Sequence, residues 1–533
     1  MRIRLVDWIF IALLCVFGAY AGMFISRTSF MVSGERYFVL FDDAMISMRY
    51  AKNLAAGYGP VWNPGERIEG FTNPLWVGYM ALVHLFPLPA SKTSLIIQIT
   101  SAVLLMMNLV FVRKITKELS NSDLTALLAA FLTAFYFSLN NWALQGMEVG
   151  LVALLLTIVL WLVHRQLKNE TFSIWPYVIL GIGTWVRMDV LAPGLLILGY
   201  MAFVSPTHRR EHLLWGGGLL LAMMTLQTIL RYGYYGEVLP NTYYLKIEGY
   251  SLLERVKLGL KVYAQFIWLM NWILYVLPFL TVTLKPNRTT VLLLLLFLTQ
   301  SAYSIYVGGD AWEHRGGANR FISVAMPGFI ILIMLGIDEI RKLVITAIEA
   351  FWPRLQSQIL PLSQIVMTTF VVTSLFSLNT IVTNDAVAKW MALKRPIFTK
   401  GSEKNLLIGL TLREMTTEEA WIAVIAAGTA PYFSERNAID LLGKADKVIS
   451  HKVPRSLSGI TDDEEFRPGH NKWDYAYSIG ELKPDIIVQL WSHPEEAKPF
   501  LEAYIPVKIE DQTMYFRKDS PNILWDKVPT EGN

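Results

Sequence analysis

Stretches of about 20 apolar residues recur along the first three-quarters of the chain, and that recurrence restricts its fold more than any motif does. The runs fall near 8–25, 74–90, 94–112, 124–140, 149–163, 174–186, 190–204, 212–230, 266–284, 289–306, 321–337 and 363–383. A hydrocarbon core about 30 Å thick is crossed by about 20 residues of helix. In lipid each backbone N–H and C=O must bond within the protein, so such runs form helices. The composition agrees: of 533 residues, 53% are hydrophobic and 17% charged, against about 25% charged in soluble domains. The 17 Trp and 23 Tyr suit interfacial belts. These features predict a polytopic α-helical membrane protein with about 11–13 transmembrane helices, with a weaker run near 343–352 lying on the membrane surface.

Past residue 384 the character changes. Charges become frequent, no run is long enough to span, and short apolar stretches such as Trp421–Ala427 and Asp485–Leu490 alternate with turn residues. The chain therefore divides into a transmembrane part, 1–384, and a soluble α/β domain, 385–533, large enough for its own core. The single cysteine, Cys15, lies in the first apolar run, which excludes an intrachain disulfide and gives no basis for a Cys metal site. Basic residues form short clusters between apolar runs, a topological pattern with no nucleic-acid signature.

Five clusters set the orientation: Arg113-Lys114 with Lys117, His164-Arg165 with Lys168, His208-Arg209-Arg210, Lys285 with Arg288, and Arg341-Lys342. With these inside, the N-terminal Met1-Arg-Ile-Arg begins an uncleaved first helix from the cytoplasm. The loops near 41–70, 140–148, 187–189, 231–265 and 307–320, and the soluble domain, then lie outside. Parity requires that 74–90 and 94–112 are not both full crossings; one is juxtamembrane, re-entrant or half of a broken helix.

The outer loops hold the residues suited to chemistry. In the tract 36–73, Asp42 and Asp43 sit just past an apolar helix, followed by Arg49 and Lys52 on an interfacial helix. A carboxylate here can act as general base on an acceptor hydroxyl, and cations can hold a phosphate leaving group. Asn53, Trp62, Asn63, Glu66 and Glu69 add hydrogen-bonding and stacking groups. The loop 307–320 carries Gly308-Gly309-Asp310, His314, Arg315 and Arg320. Arg320 opens an apolar helix, where an unpaired charge is costly, so it requires a partner such as Asp310 or a lipid phosphate. Glu148 at a helix start, Arg187 with Asp189 inside an apolar stretch, and Asn241, Tyr243 and Lys246 in an aromatic tract face the same side as candidate substrate contacts. Each has a plainer reading: capping, a structural ion pair or an aromatic belt. In the soluble domain, His470 after Pro-Gly reads as a surface-loop residue.

The tract Phe41-Asp42-Asp43-Ala…Arg49-Tyr50-Ala-Lys-Asn53…Trp62-Asn63-Pro-Gly-Glu66-Arg67-Ile-Glu69-Gly70 resembles the first extracytoplasmic loop of bacterial GT-C glycosyltransferases, in particular the terminal arabinofuranosyltransferases of mycobacterial cell-wall synthesis. Gly236-Glu-Val-Leu-Pro240-Asn241, Gly-Gly-Asp310…Arg320-Phe, Asp440-Leu-Leu-Gly443 and Pro-Gly-His470 are similar as well. The segment Trp312-Glu-His-Arg-Gly-Gly-Ala-Asn is longer and more charged than the family pattern, so the resemblance does not fix the sugar. It implies a GT-C fold, a polyprenyl-phosphate sugar donor, a cell-envelope glycan or glycolipid acceptor, a site on the outer face of the bacterial cell membrane, and Asp42 or Asp43 as catalytic base. Arg49, Lys52, Arg315 and Arg320 are then the candidates for holding the donor phosphate. No cofactor is required by this scheme, although Asp42, Asp43 and Asp310 could hold a divalent cation in place of the arginines. The competing class is a transporter or flippase of lipid-linked sugars, whose polar residues would sit near mid-membrane on broken helices.

Overall fold

We describe the protein from a computed structural model, which covers residues 4–310, 319–379, 385–456, 467, 469–509 and 511–529. Six helices are long and apolar enough to cross a membrane singly: Leu5–Arg27, Ala90–Ser120, Val149–Asn169, Pro206–Tyr235, Arg288–Val307 and Ser357–Leu378. Two bent pairs bring this to eight among the described residues: Asp123–Ala134 with Phe137–Leu144, bent by 51°, and Leu252–Leu269 with Trp272–Leu284, bent by 93°.

Fewer runs form straight spans than their sequences suggest, and the breaks have local causes. Arg187 and Asp189 interrupt an apolar stretch, which divides into the shorter helices Trp175–Val186 and Met188–Val204. Asn271 adopts φ +74° at the sharper bend, and its side chain accepts the N–H of Ile273 to restart the helix. The run at 74–90 contains only the 11-residue helix Pro74–His84, whereas the run at 94–112 lies within a 31-residue helix. That resolves the parity conflict. The weak run at 343–352 is the continuation of the helix Met326–Phe351. Along that helix Met326 to Asp338 are buried on every side, which makes it the central post of the bundle.

The five basic clusters meet at one end of the bundle. Lys285 donates to the Leu119 carbonyl and to Glu339, Arg113 to Asp7, and Lys117 pairs with Asp123. His164 faces Glu118, His208 bonds the Glu170 carbonyl, and Arg341 and Lys342 hold the buried Asp338.

At the other end, strands β1 (Ser29–Val32) and β2 (Glu35–Phe38) form a hairpin before the helix Asp42–Ala55. The C-terminal region builds a five-stranded sheet from β3 (Trp421–Val424), β4 (Asn437–Asp440), β5 (Ile486–Ile487), β6 (Tyr504–Ile509) and β7 (Gln512–Arg517), in the order β4-β3-β5-β7-β6. The β4-β3-β5 pairs are parallel and the rest antiparallel. Strand alternation gives the sheet two faces. Ile422, Val424, Ile486 and Phe516 join the core continuous with the membrane bundle, while Ala423, Ile439 and Ile487 pack with Trp473 and Tyr504 in a second core.

Candidate active site

The helix Asp42–Ala55 lies between the bundle and the C-terminal sheet, and its two acids point to different partners. At about 100° per residue, Asp42, Met45, Arg49 and Lys52 form one stripe and Asp43, Ser47 and Tyr50 another. The first stripe faces the C-terminal domain. Asp42 accepts the N–H of Thr429 at 2.9 Å and of Gly428 at 3.3 Å, and the Asn405 amide at 3.4 Å. The approach is so close that a Cβ on Gly428 would stand 1.9 Å from the Asp42 carbonyl oxygen.

Arg49 donates to the carbonyls of Trp62, Pro431 and Arg436 and to Asn63 Oδ1, at 2.6–2.8 Å. Lys52 pairs with Glu435 at 2.5 Å. These contacts correct the expectation that Arg49 and Lys52 lie ready for a donor phosphate. Nearness to the acids in sequence is undone by the helical turn, which aims both at the docking surface. Trp62 and Asn63 are likewise used there, with Asn53 bracing the loop that carries them. Asn53 donates to the Val61 and Trp62 carbonyls, the Trp62 indole to the Ala427 carbonyl, and Asn63 to Glu66 and to the Ala438 carbonyl. Asn53 closes the first loop on itself, and Trp62 and Asn63 fasten it to the C-terminal domain.

The second stripe faces a cluster of cations. Asp43 accepts from Arg320 Nη1 at 3.1 Å and from Lys444 Nζ at 3.4 Å. Arg320 also donates to Asp310 through Nε at 2.8 Å and Nη2 at 3.0 Å, and its guanidinium lies 5.1 Å from the Trp142 ring. Gly308 and Gly309, at φ +87° and +81°, end the helix Arg288–Val307 and turn the chain so that Asp310 reaches Arg320; residues with a Cβ are strained there. Asn319 caps the helix Arg320–Ser323 by accepting the N–H groups of Phe321 and Ile322.

The electrostatics follow from this packing. Burial works to raise the Asp43 carboxyl, but Lys444, Arg320, Lys246 and His470 outweigh it and hold Asp43 below the ordinary carboxylate range. Burial raises the Asp42 carboxyl, and Lys444 and the Thr429 N–H offset this only in part. Lys246 is pushed down to about 8, by burial first and then by Arg320. The shared site thus separates an ionised acid from a docked one.

From Ser47, on the same stripe as Asp43, a second polar chain runs into the helical bundle. Ser47 donates to Asn73, Asn73 to Glu148 at 3.0 Å, and Arg187 stands 3.6 Å from Glu148 and bonds Asp189 at 2.5 and 3.0 Å. Glu69 lies farther off, accepting from Arg231 at 2.5 Å. Asn241 grips the Gly443 and Lys444 carbonyls, and Tyr243 is exposed. His314 and Arg315 lie outside the described residues. His470 is a correction: it is buried, packs against Trp491, and adds to the positive field at Asp43. Docking of the domain covers a loop that looks like surface in sequence. Lys444 was not singled out by the sequence, where only the strand-then-loop run Asp440-Leu-Leu-Gly-Lys marks it. Among the described residues no group of three or more His, Cys, Asp or Glu side chains is placed to hold a metal ion.

Comparison with known proteins bears on the fold. ArnT from Cupriavidus metallidurans, in a structure bound to undecaprenyl phosphate, superposes with a TM-score of 0.56 over 96% of this chain and 98% of that one, at 11% identity. Its apo form gives the same score. The apo Archaeoglobus fulgidus oligosaccharyltransferase superposes at 0.51 over 97% of this chain and 75% of that one, at 10% identity. The chain has the GT-C fold. Within that fold, residues 397–520 match a family described as a domain of unknown function, DUF8728. A terminal β-(1→2)-arabinofuranosyltransferase of Mycobacterium tuberculosis is 29% identical over 216 residues, 38% of this chain and 34% of that protein. Its Corynebacterium glutamicum counterpart is 25% identical over 380 residues, 62% of this chain and 52% of that protein. The similarity to this GT-C chain therefore spans about a third of one curated relative and about half of the other.

Proposed function

We propose that this protein is an inverting glycosyltransferase that moves a sugar from a polyprenyl-phosphate donor to a cell-envelope glycan or glycolipid at the outer face of the bacterial cell membrane. The observation that carries the reading is the junction of Asp43, Arg320 and Asp310, in which Arg320 meets an acid 277 residues before it and another 10 residues before it. It offers an ionised carboxylate beside a buried guanidinium at one end of a polytopic bundle. Support also comes from the relatives named as arabinofuranosyltransferases and from the neighbour bound to undecaprenyl phosphate.

In this reading the acceptor hydroxyl oxygen attacks the anomeric carbon from the face opposite the phosphate. The bond from that carbon to the phosphate oxygen breaks, the polyprenyl phosphate leaves with the electron pair, and Asp43 takes the hydroxyl proton. Arg320 meets the phosphate charge through its planar donors. Asp42 keeps the helix docked. Glu148, Arg187 and Asp189, linked to the acidic helix through Asn73 and Ser47, are assigned to reading sugar hydroxyls. Charge neutralisation is assigned to side chains, so EDTA is expected to leave transfer intact; a loss restored by a divalent ion would move that task to a metal. With residues 385–533 outside, the five basic clusters fall on the cytoplasmic side.

The test is reconstitution of the purified protein in lipid nanodiscs with labelled polyprenyl-phosphate sugars, beside mass analysis of envelope glycans from a deletion strain. Label should pass to an acceptor with the wild type and not with Asp43→Asn. Envelope glycans unchanged in mass on deletion, with no transfer from any donor, would overturn the reading.

A further inference from the structure

The C-terminal domain does more than cover the site, because one of its loops enters it. Between β4 and the helix Lys447–Ser450, residues 441–446 turn back toward the helix Asp42–Ala55 and place Lys444 Nζ 3.4 Å from Asp43 Oδ1. Lys444 is buried, with 9% of its surface exposed. An ammonium there is costly unless it has negative partners. Burial lowers its proton affinity, and Asp43, Asp42 and Asp440 more than restore it, so the group is held charged.

The loop is fixed from three directions. Within the domain, Asp440 at the end of β4 accepts the N–H of Leu442 at 3.0 Å and of Ala445 at 2.8 Å. From the bundle side, Asn241 donates its one amide to the carbonyls of Gly443 at 2.8 Å and Lys444 at 2.9 Å, while its oxygen accepts the Ser450 hydroxyl at 2.6 Å. The Asn241 backbone N–H in turn donates to the Glu69 carbonyl at 3.2 Å. Below, Gly70 admits the loop so closely that a Cβ there would stand 2.8 Å from the Lys444 carbonyl oxygen. Asn241 is therefore bonded to the backbone of the residue whose side chain reaches Asp43, and it belongs to the other half of the molecule.

We propose that Lys444 is a phosphate-binding residue supplied to the transfer site by the C-terminal domain, and that Asn241 is its positioning residue. This rests on the donor reading above. A phosphate that draws Arg320 off Asp43 meets a second cation at once, and that cation is held in register by one buried amide. Lysine acts here as a point charge beside the directional donors of Arg320.

The test uses the full-length protein in nanodiscs and two probes, undecaprenyl phosphate and the uncharged undecaprenol. Wild type should bind the phosphate at least about tenfold more tightly than the alcohol. Lys444→Gln should lose about tenfold in affinity for the phosphate and nothing for the alcohol, and Lys444→Arg should recover most of that loss. Asn241→Ala should weaken the phosphate alone. The double variant Asn241→Ala/Lys444→Gln should be no weaker than Lys444→Gln, because Asn241 acts through Lys444. Wild-type binding that ignores the phosphate overturns the donor reading and this inference with it. Phosphate-dependent wild-type binding that Lys444→Gln leaves unchanged overturns this inference alone. Additive losses in the double variant remove Asn241 from its positioning role.

Discussion

At the scale of single residues, adjacent aspartates have separate tasks because a helix turns them apart. Asp42 accepts two backbone N–H groups and an amide of the C-terminal domain, whereas Asp43 faces Arg320 and Lys444. Asp43→Asn should therefore lower the transfer rate by about 100-fold or more, the usual range for losing a general base, and should also lower the unfolding temperature, because Arg320 and Lys444 lose a buried negative partner. Asp42→Asn should keep most of the rate and lose about 1–3 kcal/mol of stability, because its remaining carbonyl oxygen can accept only part of what the carboxylate accepts. Rates measured on variants shown by thermal unfolding to be folded separate the two, and equal rate losses would contradict the division. Lys246 gives a pH signature. With its pKa brought down to about 8, it is charged below that pH and loses its charge as pH rises through it. Apparent donor affinity should then fall above about pH 8, and Lys246→Arg should carry that decline to higher pH.

At the scale of elements, the junction between the helix Asp42–Ala55 and the segment 427–438 is the joint on which the site depends. Gly428→Ala places a methyl into the Asp42 backbone. It should cost about 1–3 kcal/mol as an overpacked contact and reduce transfer by displacing the helix that carries Asp43, read as a lower unfolding temperature together with a lower rate. The acid pair itself was legible in sequence, since two adjacent carboxylates opening a dense polar tract between apolar runs demand an explanation. The Gly308-Gly309 turn and the need of Arg320 for an acidic partner were legible for the same reason. The fate of Arg49, Lys52 and Asn63 was not, because their partners lie in residues 431–438, more than 370 positions away. Local spacing suggests which residues share a face and carries no sign of what that face meets. His470, a surface residue by local motif, and Lys444, which no motif singles out, are both buried where the C-terminal domain docks.

At the scale of the whole molecule, apolar periodicity announces a membrane bundle, and the clustering of the basic loops at one end follows from their spacing. The bends do not, because a 93° turn at Asn271 depends on a positive φ that a single Asn between Met270 and Trp272 leaves open. Topology can be tested with cysteine labels in a background lacking Cys15. Val453→Cys, exposed on the C-terminal domain, should react with a membrane-impermeant maleimide on intact cells. Lys168→Cys, exposed at the basic end, should react only after permeabilisation. The reverse pattern would invert the orientation.

The seat of Asp42 also has a consequence for how the chain matures. Its partners at Gly428 and Thr429 lie 386 and 387 residues downstream. At a synthesis rate of about 5–20 residues per second, the acidic helix waits roughly 20–80 s after it is made before its docking amides exist. During that interval the bundle can insert while the charged face of the helix remains open to water. The site is thereby completed late, when the C-terminal domain arrives.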